Sequence, residues 1–162
     1  METELLNIVG KIADTLIANG LRLSVAESCT GGFISDAITN YPGASKFFEM
    51  SVVAYSRGAK HAVLGISDSL LDKYGTVSDE TALEMAHGVR RLGNANVALS
   101  VTGIAGPEPL EEKEVGLIFI AVATEKLSDS MGIKLSGDRE EIKEKAALEA
   151  LTFLHRILRI WL

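Results

Sequence analysis

At 162 residues, with 47% hydrophobic and 23% charged residues, the chain has the length of one domain and the apolar content of a full core, and lacks the composition of a disordered segment. Its net charge of -6 comes without a basic run or basic-aromatic stripe, which argues against nucleic acid as a main partner. The single cysteine, Cys29, excludes an intrachain disulfide and fits a reducing compartment; with no signal-peptide plan at the start and no apolar run of membrane length, a cytoplasmic protein without a membrane partner is expected.

Leu5, Val9, Ile12 and Leu16 recur at helical spacing ahead of Asn19-Gly20, which predicts a helix over 3–19 and a first strand over 21–26. A second helix is expected over 30–40 with Thr30 as its N-cap, closed by Pro42-Gly43. Phe47 to Tyr55 reads as strand two, Arg57 to Leu64 as a short helix stopped by Gly65, and Ser67 to Tyr74 as another ahead of Gly75. Ser78 to Thr81 resembles a capping box for a helix running to about Leu92. The apolar runs 96–102 and 115–124 suit buried strands, and 128–136 suits an antiparallel edge neighbour. From Asp138 on, Ile142, Ala146, Ala150, Phe153, Ile157 and Ile160 trace one face of a last helix. The alternation predicts a single domain over 1–162, a three-layer α/β/α sandwich with a mixed, mostly parallel central sheet of about five or six strands.

Three predicted strand ends carry polar or glycine-rich sequence: Glu27 to Gly32, Tyr55 to Lys60, and Thr102 to Pro107. Ligands of open α/β sheets bind beyond the carboxyl ends of strands, so the three segments are expected to meet. Read one at a time, they also suit a capped turn, a surface lysine and a Gly-Pro loop.

Taken in order, AESCTGG at 26–32, PGAS with Phe47 behind it at 42–47, Tyr55-Ser56 with Ala59-Lys60, GTVS at 75–78, SVTGIAGP at 100–107, Val115-Gly116 and Gly137-Asp138-Arg139-Glu140 resemble the C-terminal domain of the CinA (competence/damage-inducible) proteins. The same domain occurs as stand-alone nicotinamide-nucleotide amidohydrolases, and the absence of the long N-terminal partner domain suggests that form here. The resemblance spans almost the whole chain. It implies hydrolysis of the carboxamide of nicotinamide mononucleotide to nicotinic acid mononucleotide and ammonia, by a Ser-Lys mechanism without metal or cofactor. A homodimer is expected as the commonest symmetric assembly.

Amide hydrolysis needs a nucleophile, a base, an acid for ammonia and donors for the oxyanion. Ser28 is the expected nucleophile, with Cys29 as its rival. Lys60 is the expected base, because no histidine lies in the three motifs, and it must be largely uncharged to act at neutral pH. Tyr55 is expected to relay a proton or orient the pair. Backbone N–H groups around Thr30, Gly31 and Gly32 are the candidate oxyanion donors, while Thr102, Gly103 and Arg139 are candidates for holding the phosphate. Glu27 is read as positioning substrate or bonding the turn.

Three positions depart from the family pattern. Residues 108–114 (Glu-Pro-Leu-Glu-Glu-Lys-Glu) replace a glycine-rich stretch and are expected to oppose an anionic substrate. Arg57 adds a cation expected to lower the Lys60 pKa or attract phosphate. Lys143 stands where an arginine is usual, so a bidentate contact is lost. Alternatives to the deamidase are a nucleotide-binding or regulatory protein without turnover and an amidase for another small amide.

Overall fold

In a computed structural model covering residues 1–162, a five-stranded sheet of order β2-β1-β3-β4-β5 lies between two helical layers. The strands are β1 (Leu23–Glu27), β2 (Phe48–Val53), β3 (Val97–Gly103), β4 (Leu117–Thr124) and β5 (Ser128–Lys134). The helices are α1 (Glu2–Ala18), α2 (Phe33–Thr39), α3 (Arg57–Leu64), α4 (Asp68–Tyr74), α5 (Asp79–Leu92) and α6 (Arg139–Trp161). β1 pairs in parallel with β2 and β3, and β4 runs antiparallel to both β3 and β5, so only β4 is reversed in the expected mixed sandwich. No helix is long and apolar enough to cross a membrane.

Strand alternation divides the core by side-chain size. Leu23, Val25, Val97, Leu99, Val101, Ile118, Ile120 and Val122 point to one face and pack with α1, α2 and α6. The opposite face presents Ala26, Ala98, Ala121 and Ala123, and these small residues pack with Leu64, Ile66, Met85 and Val89 from α3, α5 and the turn after α3. Gly88 of α5 completes the close fit, since a Cβ there would stand 2.3 Å from the Leu64 carbonyl oxygen.

The same alternation aims Glu27 toward α2 and Ser100 and Thr102 toward the α5 side, where their hydroxyls donate to the carbonyls of Ala82 in α5 and of Thr76 in the loop before it. Because β1, β2 and β3 are parallel, their carboxyl ends share one edge of the sheet. The chain leaves β1 to reach β2 on one side and returns with β3 on the other, which makes the β1/β3 end a topological switch point.

One expected boundary moves for a physical reason. α2 begins at Phe33, not at residue 30, because Gly31 and Gly32 hold φ of 61° and 104°, left-handed conformations that keep the turn out of the helix. Thr30 is therefore not an N-cap; its hydroxyl donates to Glu27 Oε1 at 2.7 Å. At α5 Ser78 accepts from the Thr81 N–H as expected, but the Thr81 hydroxyl donates to the Gly75 carbonyl, so no reciprocal box forms. Asp138 and Glu141 do form one at the start of α6.

Candidate active site

The turn after β1 carries Ser28 and the first turns of α3 carry Lys60, which α3's own N-cap, Ser56, helps to place by accepting from the Ala59 N–H. Lys60 Nζ stands 2.8 Å from Ser28 Oγ, 2.9 Å from the Ala54 carbonyl and 3.0 Å from the Tyr55 carbonyl. Lys60 is 1% exposed and Ser28 6%. Burial pulls the Lys60 pKa down from 10.5 to about 8, against upward pulls from Cys29 and Glu111.

The arrangement distinguishes the two states of the amine. Both carbonyls can only accept, so they take two N–H bonds in either state. The third position faces a hydroxyl that accepts from an ammonium and can donate to a neutral amine's lone pair. Lys60 is thus held with its reactive position aimed at Ser28.

Tyr55 meets the pair through its main chain, not its phenol. Its carbonyl lies 3.0 Å from Lys60 Nζ and 3.5 Å from Ser28 Oγ, whereas its exposed phenolic oxygen accepts from Arg139 Nη2 at 3.0 Å. Arg139 Nη1 also donates to the Gly106 carbonyl, which ties the start of α6 to the loop after β3. No carboxylate pairs with Arg139. A cavity of about 240 Å³ brings Ser28, Lys60, Tyr55, Thr102, Gly103 and Arg139 together. A separate groove of about 340 Å³ between α1, α2 and α6 is lined by the carboxylates of Glu2, Asp36 and Glu144 and by no serine, cysteine or lysine.

Three expected roles shift. The Gly31 N–H donates to the Ser28 carbonyl and the Gly32 N–H to Glu27 Oε1, so both are spent within the turn; Thr30 and Cys29 keep N–H groups without an acceptor. Gly103 is bare because β4 demands it: a Cβ would stand 2.4 Å from Ile118 Cδ1 and 2.7 Å from the Leu117 carbonyl. The Thr102 hydroxyl proton is committed to the Thr76 carbonyl at 2.7 Å.

Glu27, fully buried, explains the shape of the turn. Its carboxylate accepts from Thr30 Oγ1, the N–H groups of Gly32, Ile34 and Ser35, and Ser35 Oγ, so the start of α2 is filled by an internal anion. Cys29 packs in the larger core, and burial pushes its thiol up from 9.0 to about 12.

The CinA C-terminal domain family matches residues 6–158. This chain belongs to that family. A competence-damage inducible protein of Caldicellulosiruptor saccharolyticus is 46% identical over 148 residues, covering 91% of this chain and 36% of the relative. A CinA-like protein of Syntrophotalea carbinolica is 42% identical over 152 residues, 93% of this chain and 37% of its own length. The chain therefore spans a little over a third of these relatives. Among solved structures, competence damage-inducible protein A of Klebsiella pneumoniae superposes with a TM-score of 0.95 at 32% identity, covering 98% of this chain and 99% of that one. A competence/damage inducible protein of Agrobacterium tumefaciens gives 0.91 at 35% identity, covering 96% of each chain.

The departures from the CinA pattern fall differently from expectation. Arg57 turns away from Lys60 and pairs with Asp68 at 3.4 Å and Asp72 at 2.7 Å. In the acidic loop, Glu114 pairs with Lys134 at 2.6 Å and Glu111 lies 3.6 Å from Lys113, which leaves Glu108 as the loop carboxylate at the cavity wall. The predicted charge barrier is accordingly weaker than the sequence suggests. Lys143 is free of ion pairs and reaches the turn after β1, where a Cβ on Gly31 would stand 3.7 Å from its Nζ.

Proposed function

We propose that this CinA-family chain is an amidohydrolase that converts nicotinamide mononucleotide to nicotinic acid mononucleotide and ammonia. The observation that carries the reading is the buried Lys60 amine 2.8 Å from Ser28 Oγ, with its other two partners both acceptor-only carbonyls. Such a pair suits removal of the hydroxyl proton at neutral pH.

In the proposed reaction neutral Lys60 takes the Ser28 proton as Oγ attacks the carboxamide carbon. The proposed donors to the oxyanion are the N–H groups of Cys29, which lines the cavity, and of its neighbour Thr30. Collapse breaks the C–N bond, Lys60 returns the proton to the departing nitrogen, and ammonia leaves an ester on Ser28. Lys60 then draws a proton from water, which cleaves the ester to the carboxylate and restores the hydroxyl. Arg139, without a carboxylate partner and beside the cavity, is the proposed cation for the phosphate.

Mass spectrometry of a nicotinamide mononucleotide incubation tests the reading. Conversion of carboxamide to carboxylate by the wild type, lost in Ser28→Ala, is the expected result. Binding of the nucleotide without conversion would identify a nucleotide-binding protein instead, and conversion of other amides only would move the substrate class.

A further inference from the structure

The acidic stretch after the cavity loop is folded, and its fold reaches the reaction pocket. Leu110 and Lys113 pair through both their main-chain bonds, 3.2 Å and 2.8 Å, around Glu111 and Glu112. Those two residues hold φ of 55° and 60°, a left-handed conformation unfavourable to glutamate unless surrounding contacts impose it. The contacts are present. Both Glu111 oxygens accept from the Thr76 N–H, at 2.9 Å and 3.0 Å, and Oε1 also accepts from Thr76 Oγ1 at 2.5 Å. Lys113 Nζ donates to the carbonyls of Tyr74 and Val77 on either side. Gly75 makes room, since a Cβ there would stand 2.0 Å from Glu111 Oε2.

We propose that Glu111 is a positioning residue for the amide substrate, acting through Thr76 on Thr102 and through its own hairpin on the cavity wall. The inference rests on the amidohydrolase reading. Clamping the Thr76 N–H and hydroxyl fixes the Thr76 carbonyl, which in turn takes the Thr102 hydroxyl proton. With its proton spent, the Thr102 oxygen at the cavity can only accept. A carboxamide NH₂ donates to such an oxygen, whereas a carboxylate product repels it, so the clamp favours the amide over the acid. The same carboxylate anchors the hairpin that begins at Leu110, which lines the cavity together with Glu108 and Pro109 just before it. A carboxylate is required: an amide at 111 would turn an NH₂ toward the Thr76 N–H or the Lys113 ammonium.

Steady-state ammonia release from nicotinamide mononucleotide, with nicotinic acid mononucleotide as product inhibitor, tests this in wild type, Glu111→Gln and Glu111→Ala. Thermal melts accompany the kinetics, and the near-isosteric Gln variant carries the test if Ala fails to fold. Expected are a KM raised about tenfold, a kcat within about threefold, and product inhibition strengthened relative to substrate binding. Unchanged KM and unchanged substrate-to-product preference overturn the positioning role while leaving the amidohydrolase standing. If the wild type releases no ammonia, the amidohydrolase reading fails. Calorimetry with nicotinamide mononucleotide then decides the clamp: binding weakened about tenfold in Glu111→Gln supports it, and equal affinity or no binding to either protein overturns it.

Discussion

Lys60 Nζ and Ser28 Oγ lie 2.8 Å apart although 32 residues separate them in sequence, joined at the shared carboxyl edge of β1 and β2. The parallel pairing puts the residues after β1 and β2 side by side, and α3 then turns Lys60 back over the end of β1. Burial makes the charged form of Lys60 costly, and two carbonyls orient what remains. The dyad is thus a product of topology, capping and desolvation together.

Burying this amine makes stability depend on pH. Its folded pKa, about 8, lies below the unfolded value of 10.5, so between them the unfolded chain binds the extra proton. Stability contributed by Lys60 therefore rises with pH across that window, by roughly 3 kcal/mol over the full shift. Relative to the wild type, Lys60→Met is expected to gain stability at pH 7 and to lose that advantage toward pH 10, read from urea midpoints. A constant difference at all pH values would contradict a buried, readily deprotonated Lys60.

Cys29 neighbours Ser28 but is held as a neutral thiol by burial, with a pKa of about 12. Cys29→Ala is expected to keep kcat/KM within about threefold, and iodoacetamide to modify the native wild type slowly. Loss of most ammonia release in that variant would transfer the nucleophile's role from Ser28 to Cys29.

Glu27 holds five donors at the start of α2. Glu27→Ala leaves those groups without their anion and is expected to destabilise the protein by about 3 kcal/mol, measured by urea unfolding. A change below about 0.5 kcal/mol would mean that the turn is held by other contacts.

Within a helix, Gly→Ala ordinarily adds about 0.5–1 kcal/mol of stability. Gly88 is the exception here, because its Cβ would meet the Leu64 main chain at 2.3 Å and push α5 from α3. Gly88→Ala is expected to lower Tm, at a cost of about 1–3 kcal/mol. An unchanged or raised Tm would show that the two helices separate freely.

Helix and strand order was legible from hydrophobic period and stop signals: Gly65 and Gly75 end α3 and α4 where the sequence places them, and Asp138 opens α6. The meeting of the three strand ends in one cavity was legible because their polar residues interrupt apolar runs. Less legible was everything carried by main-chain atoms. The Ala54 and Tyr55 carbonyls at Lys60 leave no mark on residue type, nor does the spending of the Gly31 and Gly32 N–H groups. Glu27 suggested a bond to the turn but not five, since only the strand's alternation aims it at α2. The 108–114 stretch read as a repulsive charge run because pairing with Thr76, Lys113 and Lys134 depends on contacts 20 to 35 residues distant as well as local ones.

The most direct test of the Ser28–Lys60 account is ammonia release from nicotinamide mononucleotide by the wild type, Ser28→Ala and Lys60→Ala at equal concentration. The account predicts release by the wild type and at least about a thousandfold loss in each variant, with folding retained by thermal melt. Release at equal rates by all three would contradict it.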